Sequence, residues 1–185
     1  PHFLFNALNT VYFQIDESNK APRRTLEMIS ELLRYQLYGG NQKVSILQEI
    51  DYLKTYIALR KLRMSERLRL RVEFPPELNE LNIYPLLFLP LVENAFKYVG
   101  GDYQLDIIMK WENNRISLFI RNSIPELSAE DEALRKSVDE RQRKGIGLVN
   151  LRRRLSLLYP NKHRLETRKE ETEFVAELMI EIEDI

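Results

Sequence analysis

A chain of 185 residues with 44% hydrophobic content can bury one sizeable core and a small helical appendage, but not two large domains. Its 28 Lys and Arg balance 28 Asp and Glu, so no global field draws it to nucleic acid or to an anionic membrane, and any anion site has to be local. The lack of cysteine and the two histidines far apart in sequence argue against a disulfide framework, a thiolate nucleophile and a histidine-rich zinc site. No run approaches the ~18 apolar residues of a membrane span.

In chain order, Phe3, Leu4, Ala7, Leu8, Val11 and Ile15 form a continuous apolar surface beside a polar stripe at His2, Asn6, Asn9 and Asp16, which predicts an amphipathic helix from Pro1 or earlier to about residue 16. Because the chain opens on Pro1, inside that pattern, it is expected to be cut from something longer, with any membrane segment in the missing part. A break at Lys20-Ala21-Pro22 precedes a second periodic segment, Leu26, Ile29, Leu33 and Leu37, stopped by Gly39-Gly40. The two helices read as an antiparallel hairpin. Ser45 with Gln48 makes a capping-box start for a third helix, which Leu47, Ile50, Leu53 and Ile57 carry to about Ser65.

The texture changes at Leu68. Leu68, Leu70, Val72 and Phe74 alternate with charged residues up to Pro75-Pro76, a half-buried strand. Leu86 to Val99 is apolar enough for a helix, and Leu105–Trp111 and Ile116–Ile120 around Asn113-Asn114 make a hairpin. Residues 125–144 are dominated by charge, with few apolar anchors to offset ordering entropy, and are expected to form a mobile loop. Gly145-Ile146-Gly147 opens a helix with Leu148, Leu151, Leu155 and Leu158 inward, and a last hairpin spans about 164–169 and 173–182. Strands grouped as hairpins with helices on one side predict an α+β two-layer sandwich, because a parallel sheet would need a crossover after every strand.

Three segments could carry chemistry. Within Leu91-Val92-Glu93-Asn94-Ala95-Phe96-Lys97-Tyr98, helical spacing puts Asn94, Lys97 and Tyr98 on one face. The Asn94 carbonyl is a hard oxygen ligand suited to Mg²⁺, Lys97 could reach a phosphate and Tyr98 offers a ring to a purine. An amphipathic helix with a wet outer face would look the same. Gly145, Gly147 and Leu148 at a helix start allow close backbone approach and free N–H groups to an anion, with Lys144 and Arg143 adding charge, although a loop that merely needs two glycines would also read so. No Gly-Lys-Ser/Thr follows, so this is not a Walker A loop. His2 with Asn6 one turn on is a candidate phosphoacceptor pair, while His163 sits in a turn without a partner in sequence.

Pro1-His2-Phe3-Leu4-Phe5-Asn6-Ala7-Leu8-Asn9, the Asn94 segment and Gly145-Ile146-Gly147-Leu148-Val149-Asn150-Leu151-Arg152-Arg153-Arg154-Leu155 resemble, in order and separation, the H, N and G boxes of the LytS/YehU-type sensor histidine kinases. The resemblance covers essentially the whole chain. It implies a Bergerat (GHKL-type) ATP-binding sandwich over residues 67–185, a connecting helix over 43–66, and a truncated antiparallel dimerisation hairpin over 1–42. It also implies ATP and Mg²⁺ as cofactors, with Asn94 holding the metal, Lys97, Lys144 and the amides of Gly145, Gly147 and Leu148 on the phosphates, Tyr98 beside the nucleotide, and residues 125–144 as the lid. His2 would be autophosphorylated with Asn6 orienting its ring, poorly in so short a piece. The phosphoryl group would pass to a response-regulator aspartate, typically of LytTR type. The expected setting is a homodimer and the cytoplasmic part of an inner-membrane sensor, without direct nucleic-acid contact.

Two departures bear on this. Pro90 stands four residues before Asn94, where the wider ATPase superfamily has a water-activating Glu, which argues against a hydrolysing clamp. The adenine-reading Asp aligns with Asn122, which is neutral but can still accept a hydrogen bond. The alternative is a pseudokinase, a dimerising relay that no longer uses ATP.

Overall fold

The computed structural model describes residues 2–38, 42–76, 78, 81–126 and 146–182. It divides into two compact units, Pro1–Met64 with Asn82–Leu86, and Ser65–Leu81 with Leu87–Ile185.

The first unit holds helices α1 (His2–Gln14), α2 (Lys20–Tyr38) and α3 (Ile46–Lys61), with a short ladder pairing β1 (Val44–Ser45) antiparallel to β3 (Asn82–Ile83). α1 packs on α2, and α2 on α3. The link between α1 and α2 is an Asx turn: Asp16 Oδ1 accepts from the Ser18 N–H at 2.8 Å and from its hydroxyl at 2.5 Å, and these bonds hold the Asp16 carboxyl below the usual carboxylate range. The Lys20–Pro22 segment is not a break, since α2 begins at Lys20 with Pro22 inside its first turn, where the missing N–H has no intrahelical partner to lose. The Ser45 capping box forms in full: the Ser45 hydroxyl accepts from the Leu47 N–H at 3.3 Å and the Gln48 side chain accepts from the Ser45 N–H at 3.1 Å. α1 buries none of its residues, and Phe3 and Phe13 stand 85% and 78% exposed.

The second unit is a five-stranded sheet, β2 (Arg69–Glu73), β4 (Gln104–Glu112), β5 (Arg115–Ser123), β6 (His163–Lys169) and β7 (Glu173–Glu181), in the order β2-β4-β5-β7-β6. α4 (Leu89–Tyr98) packs on β4 and β5, and α5 (Ile146–Leu158) packs on α4 and β6. The β4–β5 hairpin closes on Asn113 and Asn114 with φ of 51° and 59°, the left-handed pair that a two-residue hairpin turn demands. Alternation then sends Leu105, Ile107, Met109, Ile116, Leu118, Ile120, Ala176, Leu178 and Ile180 to the core. Leu91, Val92, Ala95, Phe96, Leu151 and Leu155 fill it from the helices.

Two expectations change. β2 pairs parallel with β4, so the sheet is mixed; the chain between them contains α4 and provides the crossover that a parallel pair requires. The helix expected from Leu86 starts at Leu89, because Leu86 follows Pro85 in a turn at φ 58°. The expected stop at Gly39-Gly40 and most of the expected lid lie outside the described residues.

Candidate functional site

In the second unit the alternation that buries one face of α4 leaves Asn94 and Tyr98 half-buried and Lys97 exposed. Pro90 sits at the start of this helix, where its ring is tolerated. Lys97 Nζ lies 5.0 Å from the centre of the Tyr98 ring, a cation–π contact that keeps ammonium and ring together. The chain after α4 is tied to the end of β5. Gly100 N–H donates to the Ser123 carbonyl at 3.0 Å, and the Ser123 hydroxyl donates to the Gly100 carbonyl at 2.6 Å while accepting from the Gln104 N–H at 2.9 Å. Glycine is required on this side, since a Cβ on Gly100 would meet Pro125 Cδ at 2.9 Å and Gly101 has φ 59°.

Asn122 lies next to that clamp, on the helix-facing row of β5 with Ile116, Leu118 and Ile120, and is fully buried. Its Nδ2 donates to the Ser123 carbonyl at 3.2 Å, whereas among the described residues its buried Oδ1 has no hydrogen-bond partner. A buried amide oxygen left unmatched costs about 1–3 kcal/mol, so this acceptor suits a ligand N–H. On the opposite face of the same two strands, buried Asp106 accepts from Arg121 Nε at 3.0 Å and Nη2 at 2.7 Å, an ion pair between residues in direct register.

Gly147 is exposed in the first turn of α5, and a Cβ built there meets nothing within 4 Å. Among the described residues nothing calls for glycine at this position. Leu148 is half-buried beside it. Lys144 and Gly145 lie outside the described residues. Asn94, Lys97, Tyr98, Asn122, Gly147 and Leu148 thus all belong to the helix layer and the sheet row beneath it.

His2 and Asn6 belong to the first unit, both exposed and one turn apart on α1; the Asn6 carbonyl accepts from the Thr10 hydroxyl at 2.9 Å. No hydrogen bond joins the two side chains among the described residues. His163 is engaged locally, its Nδ1 lying 2.7 Å from the Tyr159 carbonyl.

One buried group escaped the sequence reading. Glu49 in the first turn of α3 is fully buried; its Oε2 accepts from the Tyr35 hydroxyl at 2.6 Å and from the Leu86 N–H at 2.9 Å. The signal was present, since Glu49 occupies an apolar position of the period set by Ile46, Ile50, Leu53 and Ile57. Among the described residues no cluster of three or more His, Cys, Asp or Glu could hold a metal ion. No described helix is long and apolar enough to cross a membrane.

Residues 1–68 match the family model described as "Histidine kinase". The chain is 29% identical over 170 residues to the sensor protein kinase HptS of Staphylococcus aureus, a match covering 89% of this chain and 33% of that protein; it spans about a third of the length of the curated relatives it matches. Among solved structures it resembles a mycobacterial sensor histidine kinase, MprB, with TM-score 0.50, 13% identity and coverage of 78% of this chain and 99% of that one. It also resembles full-length ShkA in complex with AMPPNP, with TM-score 0.50, 14% identity and coverage of 88% and 38%. These two likenesses concern the fold. The chain is thus similar to histidine kinases in sequence over its first 68 residues, to a sensor protein kinase over most of its length, and to sensor histidine kinases in fold.

Proposed function

We propose that this chain is the kinase part of a two-component sensor, which phosphorylates itself on His2 at the expense of ATP and hands the phosphoryl group to a response-regulator aspartate. The observation that carries the proposal is the fully buried Asn122 with its unmatched Oδ1, one residue from the clamp that ends α4. An exocyclic amine of adenine is the kind of donor that would satisfy it. Gly147, whose missing side chain the fold does not explain, supports close approach of phosphate to the first-turn amides of α5. The residues present therefore fit a Mg²⁺-nucleotide.

In this reading residues 67–185 bind ATP, residues 43–66 connect, and residues 1–42 present the phosphoacceptor and dimerise. Bound Mg²⁺-ATP supplies the transferable γ-phosphoryl group. Asn94 holds the metal, Lys97, Lys144 and the amides of Gly145, Gly147 and Leu148 neutralise the phosphates, and Tyr98 packs on the nucleotide. A neutral ring nitrogen of His2 forms the P–N bond as the bond to the leaving ADP oxygen breaks, and the ring then loses its proton. Catalysis is positioning and charge neutralisation, with Asn6 orienting the ring. The exposed Phe3 and Phe13 of α1 support pairing with a second copy. Membership of the LytTR-linked group and a tether to the inner membrane belong to the same proposal.

The test is calorimetric titration with ATP, with and without Mg²⁺. Binding should be measurable and Asn94→Ala should remove its metal-dependent part. With α1 extended upstream of His2, γ-phosphate label should appear in the protein, be acid-labile and base-stable, and vanish in His2→Ala, whereas the short chain should label poorly or not at all. Absence of binding heat at millimolar ATP would leave the pseudokinase as the reading.

A further inference from the structure

Among the described residues of the first unit Glu49 is the one carboxylate with no exposed surface, and it accepts from two groups on different segments. The Tyr35 hydroxyl belongs to α2; the Leu86 N–H belongs to the turn that follows β3. Pro85 followed by a left-handed residue is the order of a turn that ordinarily places glycine second. Leu86 holds φ 58° with a full side chain, so the turn needs an outside tie, and the Glu49 carboxylate provides one. Tyr35 is itself fixed from a second side, its ring stacked on Tyr52 at 4.6 Å, and the Tyr52 hydroxyl accepts from Gln36 of α2 at 2.7 Å. α2 is thus gripped at two successive residues by α3, and α3 grips the Leu86 turn.

From Leu86 the chain runs through Leu87 and Phe88 into Leu89, the first residue of α4. We propose that Glu49 is a positioning residue for phosphoryl transfer, holding the Pro85–Leu86 turn that leads into α4 in step with α2. The inference rests on the kinase reading above. It requires only the covalent continuity of Leu86 with α4, and it makes α2 and the Leu86 turn one mechanical element, with Tyr35 as the arm that reaches the helix pair.

Tyr35→Phe is the decisive variant, because it removes that arm and leaves the carboxylate on Leu86; Glu49→Gln is its companion, since Glu49→Ala would empty a fully buried position and risk unfolding. Three quantities are read: exchange of the Leu86 amide with deuterium, affinity for Mg²⁺-ATP, and label on His2. In Tyr35→Phe the Leu86 amide should exchange about tenfold faster, affinity should stay within about twofold, and labelling should fall about tenfold or more, as misplacement of reacting groups would produce. Unchanged Leu86 exchange, or labelling that falls only in proportion to affinity, overturns the proposal while wild type still binds and labels. A wild type with a protected Leu86 amide but no nucleotide binding and no label overturns the kinase reading, and the positioning role with it.

Discussion

The Ser123 hydroxyl donates to the Gly100 carbonyl at 2.6 Å, so the end of β5 and the end of α4 are fastened to each other at the residue next to Asn122. Ser123 is 7% exposed and also receives the Gln104 N–H. Ser123→Ala would take the acceptor from that N–H and one of two donors from the Gly100 carbonyl, which keeps the Tyr103 N–H at 3.0 Å, at a cost of about 1–3 kcal/mol. The expected outcome is a lower thermal midpoint together with weaker nucleotide binding, read by calorimetric melting and titration. An unchanged midpoint would show that water replaces the hydroxyl and that the clamp does not hold the site.

Asn122→Asp should move stability and affinity in opposite directions. Without ligand it places a carboxylate where exposure is nil, which lowers stability by desolvation. With ligand it offers a charged acceptor, and a hydrogen bond to a charged group contributes about 1.5–3 kcal/mol against about 1 for a neutral one. ATP should bind about tenfold more tightly, since 1.4 kcal/mol is a factor of ten. A loss of both stability and affinity would place the adenine elsewhere.

Gly147→Ala should also separate fold from ligand. A Cβ there meets open space in a helix, so alanine should stabilise α5 by roughly 0.5–1 kcal/mol. If phosphate approaches that backbone, the same methyl should weaken ATP binding about tenfold or more. Stabilisation with unchanged affinity would remove Gly147 from the site.

Tyr35 gives a prediction in alkali. Burial, then the charge and hydrogen bond of Glu49, raise its hydroxyl pKa above the usual value of about 10. A group whose pKa is higher folded than unfolded contributes stability that is complete below its unfolded pKa and lost as pH rises above it. The first unit should therefore lose stability above about pH 10, and Tyr35 should ionise only as the helices unfold. Tyrosinate absorbance followed alongside helical circular dichroism tests this; Tyr35→Phe should abolish the late step. Ionisation of all nine tyrosines before any helix is lost would contradict it.

Local signals were legible in the sequence where one residue decides the conformation. The Ser45 capping box, the Asn113-Asn114 turn and the alternation of β4 and β5 each follow from neighbours in the chain. What depended on distant partners was not. The parallel pairing of β2 with β4 depends on the crossover that contains α4, and the turn at left-handed Leu86 is tied by a carboxylate from α3. In the candidate site Asn94, Lys97, Tyr98 and Asn122 are named from the sequence as candidates, but the unmatched oxygen of Asn122 and the spare room at Gly147, both among the described residues, are spatial facts. Glu49 was hidden because its period was read for apolar residues alone.

β2 ends the sheet on one side, and its character bears on how the protein behaves when concentrated. It is five residues long, exposes Arg69, Arg71 and Glu73, and is followed within three residues by Pro75 and Pro76, which cannot donate to a neighbouring strand. β6, at the other end, exposes Arg164, Glu166, Arg168 and Lys169. Brevity, charge and proline are the devices that keep a sheet from recruiting strands of other molecules. The sheet is therefore built against edge-to-edge aggregation.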